Sequence, residues 1–302
     1  MSHSHEHGHG YAHRVHGKLN RAFAVGIALN VTYAAAELAA GIWYDSMGLV
    51  SDAGHNLSDV LSLVLAMTAL MLSDRRATVR YTYGYRKSTI LVSLFNAVVL
   101  FAAVGVIVAE SVRKFVSPTP VDGGAIIWTA GIGVVVNFVT AWLFIGEKNR
   151  DLNVKGAYLH MMADALVSVG VVVSGIVISL TGWTFADPLA GLVVAAVIVM
   201  STWRLLVDSL RLSLDGVPSS VDADEVCRAI RRVDRVEDVH HLHIWALSTT
   251  ESALTAHVVV ENPEEAVSQV VPAIKRSLRS MGIAHATIEV ETCRRPECDC
   301  CR

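Results

Sequence analysis

Charge is scarce in this sequence. Asp, Glu, Lys and Arg make up 18% of the 302 residues, where a soluble globular chain carries about 25%. The net charge of −3 offers no basic surface and argues against nucleic acid as a partner. Cysteine is missing before position 227; the five present are Cys227, Cys293, Cys298, Cys300 and Cys301. A disulfide framework would be spread through the domain it staples, so thiols crowded at the C-terminal end read as metal or redox chemistry. A phosphate-cradling glycine loop is also missing, which argues against direct drive by ATP. The first residues have neither an apolar core nor a small-residue cleavage site, so no cleavable signal peptide is expected.

Apolar residues take the place of charge, at 53% of the chain, and before about residue 210 they fall in blocks. Six blocks, at 21–43, 48–72, 88–112, 124–146, 155–181 and 187–207, each approach the roughly 20 residues needed to cross a bilayer. The expected fold is a polytopic α-helical membrane protein with six transmembrane helices in residues 19–210. A C-terminal α/β domain (211–292) and a Cys-rich tail (293–302) follow. Residues 1–18 hold six histidines among Gly, Ser and Glu; such a tract builds no core and is expected to be disordered and to gather metal ions. Lysine and arginine cluster before the first helix (Arg14, Lys18, Arg21), in the second connection (Arg75, Arg76, Arg80, Arg86, Lys87) and in the fourth (Lys148, Arg150, Lys155). The connections at 44–47 and 182–186 have none, which places both termini in the cytoplasm. Asn30, Asn96 and Asn137 lie alone in apolar segments and read as packing groups between helices.

Two carboxylates stand out against this background. His55 and Asp59 lie four residues apart in SDAGHNLSD, and His160 and Asp164 repeat the spacing in HMMAD. Residues i and i+4 share one face of a helix. An ionised Asp near the bilayer centre costs about 2.5–3.5 kcal/mol on insertion scales, and the apolar runs that follow both motifs contain no lysine or arginine. A divalent cation would cancel the charge and use the neighbouring imidazoles. Two His nitrogens and two carboxylate oxygens make a closed tetrahedral zinc site, whereas a magnesium or calcium site would be built from oxygen alone.

The tail reads as α-β-β-α-β, a small ferredoxin-like sheet backed by helices. The first helix is expected over Ser219–Val233, capped by Ser219 or Ser220. VEDVHHLHIWALS and SALTAHVVVE form a hairpin, Pro263–Met281 a second helix with a kink at Pro272, and HATIEVE a third strand. Within it, His240 and His257 fall on neighbouring strands, while strand parity assigns His241 and His243 to the face opposite His240.

The paired motifs HNLSD and HMMAD, with SMGLVSDAGHNLSD, TYGYRKST (82–89), ADPLAG (186–191), VHHLHIWALS and LTAHVVVE, resemble the cation diffusion facilitator family over nearly the whole chain from about residue 20. The resemblance implies a homodimeric antiporter in a bacterial inner membrane. It would export Zn2+, or Cd2+ or Co2+, from the cytoplasm in exchange for protons by alternating access. It implies His55, Asp59, His160 and Asp164 as transport ligands, and His240, His257 and Glu291 as a cytoplasmic zinc site. Cys298 and Cys301 would be a further tail element, and Lys87 with Asp215 a charge interlock. Zn2+ then serves as cargo and regulatory ligand, with no organic cofactor. The family's usual Glu in TYGYRKST is Thr89 here, the 73–87 connection lacks histidine, and no histidine begins the second tail helix.

Two other classes share parts of this pattern. A membrane-bound metal sensor would bind without flux. An intramembrane zinc hydrolase would need a separate Glu base and an open coordination position, and no such Glu accompanies the ligands, so no enzyme activity is expected.

Overall fold

The computed structural model describes residues 9–43, 47–116, 123–183, 185–262 and 266–292, with the side chains of some further positions, His55 among them, outside the described part. The chain divides into two compact units, one of residues 1–74 and 92–206, the other of 75–91 and 207–302.

Among the described residues up to Ser213 there are six long helices: α1 (His9–Trp43), α2 (Met47–Ser73), α3 (Ser88–Val116), α4 (Gly123–Phe144), α5 (Leu152–Thr181) and α6 (Ala186–Ser213). Among the described residues, α1, α3, α5 and α6 contain stretches long and apolar enough to cross a membrane, and α2 and α4 contribute the shorter apolar stretches Asp59–Ser73 and Gly131–Phe144. Helix α1 begins at His9. The backbone of residues 9–18 is therefore helical where a disordered tail was expected, and residues 1–8 lie outside the described part.

One core joins four helices. Phe23 of α1, Leu63, Ala66 and Leu70 of α2, Ala141 and Phe144 of α4, and Val154, Ala157 and Met161 of α5 pack together. A second core joins α5 to α3 and α6 through Ala97, Leu100, Val104, Ala163, Ala195, Ile198 and Leu205. Small residues allow close approach: a Cβ on Gly191 of α6 would collide with Ser111 Oγ of α3. Helix α5, which spans both cores, is fixed at each end. Asp151 caps its start by accepting from the Asn153 and Val154 amides, and Gly182, in the left-handed region at φ 71°, ends it. The opposite faces remain apolar: Leu61, Leu91, Val106, Trp142 and Met200 are exposed. Apolar surface repeated along every helix suits lipid, not water.

Two buried polar side chains of this unit link neighbouring helices. The Asn30 side chain donates to Gly26 O at 2.9 Å and to Thr140 Oγ1 at 3.1 Å, linking α1 to α4. Asn56 of α2 donates to Glu37 Oε2 of α1 at 2.5 Å, and both residues are buried.

The second unit holds α7 (Ala223–Arg231), β1 (Val236–Ala246), β2 (Ser252–Val260), a π-helical turn (Ala266–Val270), α8 (Val271–Ser280) and β3 (Ile283–Glu291). The sheet order is β1-β2-β3, with β1 antiparallel and β3 parallel to β2. This mixed sheet has the expected α-β-β-α-β order. Val226, Ile230, Ile274 and Leu278 of the helices pack on Val239, Ile244, Leu254, Ala256, Val258 and Val260, so one sheet face is covered. One boundary differs from expectation. The cap of α7 is Asp222, not Ser219 or Ser220, because its carboxylate accepts from the Asp224 and Glu225 amides. Helical backbone runs from Ala266 to Ser280, and Pro272 lies where the π-helical turn gives way to α8, so a helical irregularity does adjoin the proline.

Candidate metal centres

The i, i+4 spacing on α5 brings His160 and Asp164 to one face, and α2 supplies Asp59 opposite them. His160 Nε2 lies 2.7 Å from Asp59 Oδ1 and 3.7 Å from Asp164 Oδ2. One ligand atom from each of the three residues falls within 4.8 Å of the others. Asp59 is 1% exposed and His160 7%, so neither the carboxylate nor the imidazole is hydrated from bulk. Removing an unpaired charge from water costs far more than any contact here returns, and a pair of this kind survives only when its partners are supplied. The structure thus joins three of the four residues expected on these helices. The side chain of His55 lies outside the described residues, although its backbone is part of α2.

The second cluster is assembled from all three strands. In register, His240 faces His257 across β1–β2, and His257 faces Glu289 across β2–β3, with Glu291 two residues further on. Alternation puts these side chains on the sheet face away from the helices. His240 Nε2 is 3.2 Å from Glu291 Oε2, His257 Nδ1 is 2.9 Å from Glu291 Oε1, and His257 Nε2 is 3.3 Å from Glu289 Oε2. His240, His257 and Glu291 place ligand atoms within 4.8 Å of one another. His240 is fully buried, yet neither of its ring nitrogens makes a hydrogen bond among the described residues.

The register of β1 on β2 shifts at two points, between Val236 and Asp238 and between His240 and His243, and the second decides the histidines. The register passes from His240↔His257 to His243↔Thr255, three residues on β1 against two on β2. That single extra residue is a β-bulge, which returns His243 to the same face as His240. The bulged residue His241 adopts φ 48°. Its ring lies 5.0 Å from that of His257 and 5.7 Å from that of His240, centre to centre. The assignment of His241 and His243 to the opposite face is therefore wrong. Nothing in the sequence marks the bulge, since no Gly or Asn occupies it. Glu289 was also passed over, although its i−2 relation to Glu291 in an alternating strand is a usable signal.

The connection between α2 and α3 belongs to the second unit. Lys87 Nζ pairs with Asp215 at 2.6 Å, Arg86 pairs with Glu251, and the Thr249 amide donates to Thr89 Oγ1 at 3.1 Å. Thr89 thus acts through its hydroxyl, which also donates to Arg86 O. A carboxylate there could not make that second bond. Cys298 and Cys301 lie outside the described residues.

Comparison with known proteins accounts for both units. The family described as cation efflux transmembrane domain matches residues 23–212, and the cation efflux protein cytoplasmic domain matches 218–293. The zinc transporter ZitB of Escherichia coli is 33% identical over 302 residues, covering 99% of this chain and 96% of that protein. The metal cation efflux system protein CzcD of Cupriavidus metallidurans is 34% identical over 282 residues, with 93% and 89% covered. A cadmium, cobalt and zinc/H(+)-K(+) antiporter of Bacillus subtilis is 32% identical, with 91% and 90% covered. With a family match across both units and relatives aligned nearly end to end, the chain belongs to the cation efflux family of membrane transporters, the cation diffusion facilitators.

Proposed function

We propose that the protein exports Zn2+ from the cytoplasm in exchange for protons, as a homodimer working by alternating access, with Cd2+ and Co2+ as further cargo. All six long helices cross the bilayer of a bacterial inner membrane in this reading, with both termini cytoplasmic. His55, Asp59, His160 and Asp164 hold the cargo. The observation that carries the proposal is the buried contact between His160 Nε2 and Asp59 Oδ1. A hydrogen shared between these atoms occupies the position a cation needs. Metal ligands must be deprotonated, so loading the ion expels that proton and a returning proton expels the ion. Imidazole, with an ordinary pKa near 6.5, makes this exchange at neutral pH. The names of the relatives support the metal range, since they include zinc, cadmium and cobalt.

The His240–His257–Glu291 cluster serves in this reading as a regulatory zinc site in the cytoplasmic domain, with Cys298 and Cys301 as a further metal-binding element. Dimerisation through the same domain fits the family to which residues 218–293 belong.

Reconstitution in vesicles with an imposed pH gradient tests the proposal. Zinc flux should follow the gradient and collapse in Asp164→Ala. Zinc binding without flux in the unaltered protein would instead identify a sensor.

A further inference from the structure

The three groups assigned to the tail site leave a tetrahedral ion one ligand short, and the fold supplies a fourth. We propose that His241 is a direct ligand of the tail ion, completing a His240–His241–His257–Glu291 site for a nitrogen-preferring divalent cation. This rests on the regulatory-site reading given above.

Ring geometry carries the inference. With Zn–N at about 2.0–2.1 Å, a bound imidazole has its centre about 3.2 Å from the metal, so two imidazoles at the tetrahedral angle have centres about 5.2 Å apart. The three separations here are 5.4 Å for His240–His257, 5.0 Å for His241–His257 and 5.7 Å for His240–His241. His243, the other histidine on this face, stands 6.2 Å from His241, beyond the triad. The three ring centres lie at these spacings and Glu291 already reaches the His240 and His257 rings, whereas the His241 nitrogens stand outside the group of ligand atoms within 4.8 Å of one another.

Backbone and burial point the same way. A left-handed conformation is uncommon for a residue with a side chain, and such residues gather at functional sites. Bulges re-aim side chains, and a regular strand would have turned His241 towards the helices. The buried His240 faces the Glu291 carboxylate at 3.2 Å but makes no well-formed hydrogen bond among the described residues, an arrangement that a shared ion would satisfy. Three imidazoles and one carboxylate favour Zn2+ or Co2+ over magnesium or calcium. Rotation of the His241 side chain closes the site around the ion.

The test uses the full-length protein in detergent, titrated with Zn2+ against a chromophoric chelator and loaded separately with Co2+. Subtracting the behaviour of His257→Ala isolates the tail ion from metal bound elsewhere. In this difference, His241→Asn, which tolerates the left-handed backbone, should weaken the tail ion at least about tenfold, the lower end of what losing even an outer-sphere partner costs. The visible absorption of tail-bound Co2+ should shift and weaken as an imidazole is lost. His241→Gly, which fits the bulge without strain, should do the same and so separates ligand loss from misfolding. Unchanged affinity and spectrum in both variants would overturn the His241 assignment while leaving the tail site intact. No difference between the unaltered protein and His257→Ala would overturn the tail site itself, and this inference with it.

Discussion

The two candidate metal clusters of this protein use similar side chains on opposite kinds of scaffold. In the helical unit, two ligands share α5 at i, i+4 spacing and the third comes from α2, inside a packed core. In the tail, His240, His257 and Glu291 come one from each strand, on a sheet face away from the core, and a backbone irregularity changes which other histidines approach them. The helical site is set by local geometry, so it needs only two elements to face each other. The sheet site depends on register across three strands. A site fixed by packing suits cargo that must be bound and released at one position. A site poised on strand register is open to adjustment, as regulation requires.

The largest expected effect breaks the comparison directly. His160→Ala removes the residue that bridges Asp59 and Asp164, and zinc flux into vesicles should fall by at least about a hundredfold, beyond the 10–100-fold cost of an outer-sphere loss. His257→Ala should reduce flux by a smaller factor and act chiefly on its dependence on zinc concentration. Equal losses in the two variants would mean that the tail ion is part of the transport step, and the division of labour argued here would fail.

The same contrast explains what could be read from sequence. Helical spacing is a property of five consecutive residues, so His160 and Asp164 were legible as a pair before any fold was known. Their meeting with Asp59 followed from the repeated motif and from charge with no compensating lysine or arginine nearby. The tail was legible as α-β-β-α-β because Gly282, the acidic first turn of α7 and the alternation in HATIEVE are local signals. His241 was not. Its orientation depends on one residue more on β1 than on β2, a difference that exists only once the strands pair. The α7 boundary failed for a smaller reason: two serines and Asp222 all make good caps, and only the geometry selects Asp222.

A subtler change sharpens the cargo site without destroying it. In His160→Asp, a carboxylate replaces the imidazole and metal binding should persist. Zinc is lost on acidification when protons claim the ligands. A carboxylate and an imidazole hold protons with different strength, so the pH profile of binding should change. Preference should also turn towards oxygen-seeking ions such as Mn2+. A pH profile of zinc binding that coincided with the unaltered protein's would remove His160 from the proton exchange.

The smallest effect belongs to the clasp at the α2–α3 connection, where three contacts act together. Lys87 and Asp215 are both about half exposed, so solvent screens their attraction and the pair contributes only about 0.2–1 kcal/mol. Lys87→Met should accordingly lower the melting temperature of the tail by no more than about 4–8 °C, and less at high salt. Thr89 behaves differently. It is 2% exposed, and its hydroxyl both accepts from the Thr249 amide and donates to Arg86 O. Thr89→Val keeps the shape but removes both of these hydrogen bonds, each worth about 0.5–1.5 kcal/mol. The buried hydroxyl should therefore outweigh the visible ion pair, and it should do so at any ionic strength. Thermal unfolding of the two variants at low and high salt decides between them. A larger, salt-sensitive loss in Lys87→Met would show that charge, and not the neutral hydrogen bond of Thr89, holds this connection to the tail.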